Sequence, residues 1–279
     1  MIQKEKFISL NTFPKTKNKI RYSEGGIRKL KKYKKRPLFS IITVVLNNKK
    51  YLEQTIKSVL SQKIKNIDYI VIDGGSTDGS LEIIKKYKNK ISYWISEKDN
   101  GLYDAFNKGM QLAKGEYIGI INSDDMYTRN ALTIINRYIS KNKNADFIFG
   151  SVKKHWGILH GYKPWKIKYS WGFYTSHSTG FFIKKSSAKK VGLYNTKYKY
   201  HADYDYFYRM IVKNNLKGIA TKKSQVVGVF RRGGFSSTIP YRKMFFEELK
   251  IRYNNNQNIF EISIIAIYKF FKHFKKLIK

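Results

Sequence analysis

The stretch Glu116-Tyr-Ile-Gly-Ile-Ile-Asn-Ser-Asp-Asp-Met-Tyr127 decides how this chain is read. Its apolar run, Tyr117 to Ile121, stops at Asn122-Ser123-Asp124-Asp125. A short apolar run bounded by turn formers is the pattern of a buried strand, which puts both acids at its carboxyl end. In open α/β sheets that edge is where ligands bind. Two adjacent carboxylates there repel each other unless a positive charge intervenes, and a divalent cation is the obvious candidate. Consecutive residues leaving a strand point to opposite sides, so the two acids have different tasks. Asp125 is expected on the metal and Asp124 on a sugar or ribose hydroxyl. The same residues also suit a helix cap, since Asp and Ser ahead of an apolar helix are common.

Working outward, Phe39-Ser-Ile-Ile-Thr-Val-Val-Leu46 is β-branched and nearly all apolar, as a strand covered on both faces would be. Leu52, Ile56, Val59 and Leu60 then recur at helical spacing. The unit repeats. Tyr69 to Asp73 reads as a strand, Gly74 to Ser80 as a tight turn and Leu81 to Tyr87 as a helix. Ser92 to Ser96 is a short strand, and Asp104 to Ala113 a helix. After the Tyr117 to Ile121 strand come a helix from about Asn130 to Ile139 and a strand over Phe147 to Ser151. Such alternation predicts an α/β fold with a mostly parallel sheet and helices on both faces. Past Ser151 the rhythm breaks into an aromatic insertion or hairpin, His155 to Tyr174. A helix over Asp203 to Asn214, a strand over Val226 to Phe230 and an Arg231-Arg-Gly-Gly234 loop follow.

The 279 residues include 56 basic and 19 acidic side chains, a net charge of +37. Charge of that size selects anionic partners: nucleic acid, acidic lipid or phosphorylated substrates. The basic clusters Arg28 to Arg36 and Lys269 to Lys279 stand at the ends, which suits a globular centre with basic arms better than a nucleic-acid groove. No RNA- or DNA-reading motif is recognisable. Cysteine is absent, so there is neither a disulfide framework nor thiolate chemistry. No hydrophobic signal segment and no uncharged bilayer-length run is seen, and the expected location is cytoplasmic, peripheral on the inner face of the membrane. That peripheral reading rests on the tail, where Phe260, Ile264, Ile267, Phe271, Phe274 and Ile278 step by four and three into one apolar stripe. Lys269, Lys272, Lys275, Lys276 and Lys279 lie mostly off it, so the helix suits an anionic membrane interface. The alternative is that the stripe packs on the domain and the lysines are merely solvated.

Several motifs then share one order and spacing: Phe39 to Asn47, Asp73-Gly-Gly-Ser-Thr-Asp-Gly-Ser80, Asp99-Asn-Gly-Leu-Tyr-Asp-Ala-Phe-Asn-Lys-Gly109 and Asn122-Ser-Asp-Asp125. His177-Ser-Thr-Gly180 and His201-Ala-Asp-Tyr-Asp205, with Arg209 one turn on, complete the set. Together they resemble the family 2 glycosyltransferases over roughly Pro37 to Ser237, most closely the bacterial members that build lipopolysaccharide, capsule or other exopolysaccharide. The resemblance implies the GT-A fold, a nucleotide-sugar donor, a glycan or lipid-linked acceptor, Mg²⁺ or Mn²⁺, and hexosyl transfer with inversion. Few apolar residues and many lysines make 1–36 a flexible basic arm, the resemblance gives a nucleotide-sugar half (37–125) and an acceptor half (126–240), and the apolar stripe makes 241–279 a basic amphipathic helical tail.

Residue by residue, the resemblance places Val44, Asn47, Asp73, Gly75, Asp99, Asn107 and Asp124 on the donor, with Asp73 at the nucleobase. Asp125 falls on the metal and Asp203 is the catalytic base, with Asp205 as the fallback. His177 and Asp205 are placed at the acceptor, against the alternatives of a helix N-cap for either acid and a hydrogen-bonded structural role for His177. One departure stands out: the family's Glu-Asp pair is Ala202-Asp203 here. Two other readings fit parts of the sequence. A nucleotidyltransferase on a similar scaffold needs no base near Asp203. A non-catalytic basic module binding nucleic acid or acidic polymer has only the net charge in its favour.

Overall fold

The computed structural model describes residues 7–14, 21–29, 35–169, 178–233 and 239–278. Four parallel strands form its centre: β2 (Phe39–Val45), β3 (Asp68–Asp73), β4 (Tyr93–Glu97) and β5 (Tyr117–Asn122). They belong to an eight-stranded sheet of order β1-β4-β3-β2-β5-β10-β7-β11, completed by β1 (Arg21–Gly25), β7 (Phe147–Phe149), β10 (Phe181–Lys184) and β11 (Gly218–Ala220). β1 and β10 run antiparallel to their neighbours. A smaller sheet, β6-β12-β8-β9, is built from Met126–Tyr127, Val226–Val229, Ser151–Lys154 and Gly157–Leu159.

Side-chain alternation along the strands sorts the core into two layers. Ile41, Val45, Tyr69, Val71 and Ile121 pack with α1 (Lys49–Leu60), α2 (Ser80–Lys86) and α4 (Ala131–Lys141). Ile42, Val44, Ile70, Ile72 and Ile95 face the other way, onto α3 (Leu102–Leu112), α5 (Lys185–Val191) and α6 (Ala202–Tyr208). Both faces of the parallel strands are covered, which is why these segments carry continuous apolar runs. α6 continues as a π-helical turn, Arg209–Lys213.

Two expectations need correction. The described parts of residues 1–36 are not a flexible arm. Arg21–Gly25 pairs with β4, Phe7 is buried in the core, and Arg28 forms an ion pair with the fully buried Asp68. A carboxylate at that depth requires a counter-charge, and the segment supplies it. The strand expected over Phe147 to Ser151 is two strands in different sheets. The chain switches at Gly150, where an added Cβ would stand 2.3 Å from Val227 Cγ2.

The tail is two helices, α7 (Tyr241–Asn254) and α8 (Ile259–Ile278). Ile262, Ile265 and Leu277 of α8 are buried, and Lys269 Nζ bonds Glu248 of α7 at 2.6 Å. The stripe expected from the sequence lies on the opposite side: Phe260, Ile264, Ile267, Phe271 and Phe274 are exposed, Phe260 by 76%. The stripe therefore does not pack on the domain. Among the described residues no helix is long and apolar enough to cross a membrane.

Candidate active site

The carboxyl ends of β2 to β5 form one rim, stitched by side chains. Asn47, in the left-handed region at φ +50°, accepts the Thr77 N–H at 2.8 Å on its amide oxygen, and its own N–H donates to Ser76 Oγ. Asp73 is fully buried and accepts Ser76 Oγ and Ser96 Oγ, both at 2.5 Å. Gly75 holds φ +86°, which a side chain would strain. One strand over, Asp99 pairs with Lys108, which also reaches Glu97 Oε1 at 2.8 Å. Asp99 Oδ2 stands only 3.0 Å from where a Cβ on Gly74 would be, so the two loops touch. On the other flank Asn48 Nδ2 donates to Ser123 Oγ at 3.0 Å, joining this rim to the acidic end of β5.

At that acidic end the alternation of side chains holds, one acid facing in and the other out. Asp125 points inward with no exposed surface. Its Oδ2 accepts Thr179 Oγ1 at 2.6 Å and its Oδ1 accepts the Arg231 N–H at 3.2 Å. Burial, then the neighbouring charge of Asp124, push its carboxyl up to about 7. Asp124 is the half-buried member; burial raises its pKa as well, opposed by Arg231. Of the pair, Asp124 has the more exposed carboxylate, while Asp125, expected on the metal, is buried against Thr179 and the Arg231 backbone. Arg231 is latched rather than loose, its guanidinium 4.4 Å from the Tyr51 ring centroid and bonded to Gln54.

Asp203 sits in the first turn of α6, accepting the Tyr204 N–H at 2.9 Å and facing Tyr103 Oη at 3.2 Å. Desolvation raises its pKa, with His201 acting in the opposite sense. Tyr103 comes from α3, which follows directly on the Asp99 loop.

The profile of glycosyl transferase family 2 matches residues 40–202, more than half of the chain. The chain belongs to that family. An uncharacterized glycosyltransferase of Methanocaldococcus jannaschii is 27% identical over 238 residues, covering 80% of this chain and 82% of the relative. A PGL/p-HBAD biosynthesis glycosyltransferase of Mycobacterium tuberculosis is 27% identical over 213 residues, covering 73% and 80%. Among solved structures, S. aureus TarS 1-349 in complex with UDP superposes with a TM-score of 0.63 at 16% identity, covering 85% of this chain and 72% of that one. A mannosyltransferase from Pyrobaculum calidifontis in complex with GDP-Man and Mn²⁺ gives 0.60 at 14%, covering 87% and 72%. The fold is GT-A.

Not every residue expected to bind substrate reaches the rim of this glycosyltransferase. Val44 is buried in the core, and Asp73, expected at the nucleobase, is fully buried with its carboxylate taken by Ser76 and Ser96. Asn107 is buried and spends both ends of its amide on the Tyr194 backbone, at 2.8 Å each, so it braces α3 against the loop ahead of α6. Asp205 is buried too, bonded to Arg209 Nε at 2.8 Å and Asn255 Nδ2 at 2.9 Å, while Arg209 holds the carbonyls of Val191 and Leu193. Asp205 is thus a brace and not an acceptor contact. His177 lies outside the described residues.

The sequence reading missed Glu247. From α7 its carboxylate accepts three consecutive backbone N–H groups, of Lys199 (2.8 Å), Tyr200 (2.7 Å) and His201 (2.7 Å). It thereby fixes the loop leading into Asp203. No local pattern marks it, because its partners lie nearly fifty residues upstream. Thr179 was visible within the quoted motif, but its bond to Asp125 was not.

For the metal, no group of three or more His, Cys, Asp or Glu residues is placed to hold an ion among the described residues. The residues present fit an ion held jointly: Mg²⁺ typically takes one or two carboxylates plus substrate phosphates, and Asp124 is placed to be one of them.

Proposed function

We propose that this enzyme transfers a sugar from a nucleotide-diphosphate donor to a hydroxyl of a glycan or lipid-linked acceptor, inverting the anomeric carbon, in cell-surface polysaccharide synthesis. The observation that carries this reading is Asp203, a desolvated carboxylate at the start of α6 that is hydrogen-bonded to Tyr103 of α3, the helix that follows the Asp99 loop. The complexes of TarS with UDP-GlcNAc and of the mannosyltransferase with GDP-Man and Mn²⁺ support the donor class and the metal.

The acceptor hydroxyl is a poor nucleophile, so Asp203 takes its proton as the oxygen–carbon bond forms. The bond from the anomeric carbon to the diphosphate oxygen breaks on the opposite face, and the nucleoside diphosphate leaves with the electron pair. Arg231 and Lys154 lie beside the acidic pair, Lys154 with its pKa lowered by burial and opposed by Asp125. Both cations offset the negative charge that accumulates on the leaving group. A divalent ion, when bound with Asp124, supplies further neutralisation of the diphosphate.

The exposed stripe of α8, with lysines beside it, supports seating on the anionic inner face of the membrane, where a lipid-linked acceptor is found. The decisive experiment is Asp203→Asn in a donor-plus-acceptor assay with Mn²⁺. Donor binding near that of the wild type with transfer lost is the expected result; unchanged transfer refutes the base.

A further inference from the structure

The segment ahead of the family-matched core adds more than an edge strand. The pairing of β1 with β4 runs Arg21↔Glu97 and then Ser23↔Ser96, so Tyr22 is the extra residue of a β-bulge. Bulges beside active sites commonly re-aim a side chain. This one is pinned from below. Arg21, whose side chain is only 7% exposed, pairs with Glu97 at 2.9 Å and Glu24 at 3.0 Å, and Glu97 in turn meets Lys108, the partner of Asp99. The network anchors the strand at Arg21, and the ring of the next residue, Tyr22, is itself 56% exposed.

Its neighbour is Gly75. A Cβ there would stand 2.8 Å from Tyr22 Cε2, so the glycine clears the space the ring occupies as well as permitting the turn. At the adjoining Gly74, a Cβ would meet Leu46 Cδ1 at 3.4 Å and Asp99 Oδ2 at 3.0 Å, and Leu46 is 63% exposed. Two large apolar side chains thus flank the two glycines that follow Asp73. Scattered exposed apolar residues need no explanation. A ring laid against the bare backbone of Gly75, on a strand anchored by buried ion pairs at the carboxyl ends of β3 and β4, does.

We propose that Tyr22 is a donor-binding residue: its ring is the surface on which the planar base of the nucleotide stacks, with Leu46 across the glycine pair. This rests on the nucleotide-sugar reading above and adds a contact from outside residues 40–202. Stacking on an aromatic side chain tolerates any base, since every base has a π face. Selection among bases then falls to other groups, and Tyr22 contributes affinity.

The test is titration of the full chain, by calorimetry with Mn²⁺, with UDP, GDP, CDP and ADP, and with inorganic pyrophosphate as a probe lacking a base. Tyr22→Ala is expected to weaken the preferred nucleoside diphosphate by about 5- to 150-fold, the range measured for base–aromatic stacking. Pyrophosphate binding should stay within about twofold, and Tyr22→Phe should match the wild type. Since the ring is largely exposed, the thermal midpoint without ligand serves as the folding control. Unchanged nucleotide affinity in Tyr22→Ala overturns the assignment. So does an equal loss for nucleotide and pyrophosphate. A wild-type chain that binds no nucleoside diphosphate instead overturns the donor reading itself, and this assignment with it.

Discussion

Tyr103 Oη lies 3.2 Å from Asp203 Oδ1 and 3.0 Å from the Tyr200 carbonyl, so one phenol ties the start of α3 to the first turn of α6. Burial raises the Asp203 carboxyl, and the Tyr103 hydrogen bond partly offsets that. A base works only when deprotonated, so activity should rise with pH through a midpoint above the ordinary carboxylate range. Tyr103→Phe should move this acid limb to still higher pH, leaving the plateau rate little changed. A pH profile of kcat/KM checks both statements.

From α7, Glu247 accepts three consecutive backbone N–H groups. Glu247→Ala should lower kcat by about tenfold or more, since hydrogen bonds to a charged group contribute roughly 1.5–3 kcal/mol each. Donor affinity should be unaffected, because the loop it braces serves Asp203. Glu247→Gln keeps one oxygen acceptor and should fall between. Steady-state kinetics beside donor titration separates the two effects.

Asn107→Ala separates bracing from donor contact. Removing the amide leaves the Tyr194 N–H and carbonyl buried without this partner, at a cost of about 1–3 kcal/mol. Chemical denaturation should register that loss while the dissociation constant for donor stays within about twofold.

Gly109→Ala places a Cβ 2.3 Å from Ile42 Cγ2, between α3 and the central strand. Neither element has room to retreat within a packed layer. The expected cost is about 1–3 kcal/mol, read as a lower thermal midpoint.

Replacing Phe260, Ile264 and Phe271 together by Ser removes the outward apolar face of α8 without touching its packed side. The wild-type chain should co-float with vesicles rich in phosphatidylglycerol, more weakly as salt rises, and the triple variant should not. Unchanged flotation of the variant refutes the membrane reading.

The parallel core was legible because strands buried on both faces carry unbroken β-branched runs and their helices repeat at 3.6 residues. β1 was not: Arg-Tyr-Ser-Glu-Gly has no apolar pattern, and its place is set by the Arg21–Glu97 pairing 76 residues away. β10 escaped for a related reason, being four residues long and defined by neighbours on both sides. In the site, the sequence showed that Asp124 and Asp125 must differ but not which one faces in. That depends on Thr179 and Arg231, which arrive from distant segments. The spacing of Asp205 and Arg209 on one helix face was equally visible, yet their mutual bond turns a seeming acceptor contact into a brace.

The position of β1 at the margin of the large sheet has a practical side. A recombinant chain trimmed to begin at residue 37, where the family resemblance starts, would strip β4 of its outer neighbour and leave a row of amide hydrogens and carbonyls open to any passing strand. Such a truncation should form soluble aggregates on gel filtration, and restoring residues 7–36 should return it to a single species.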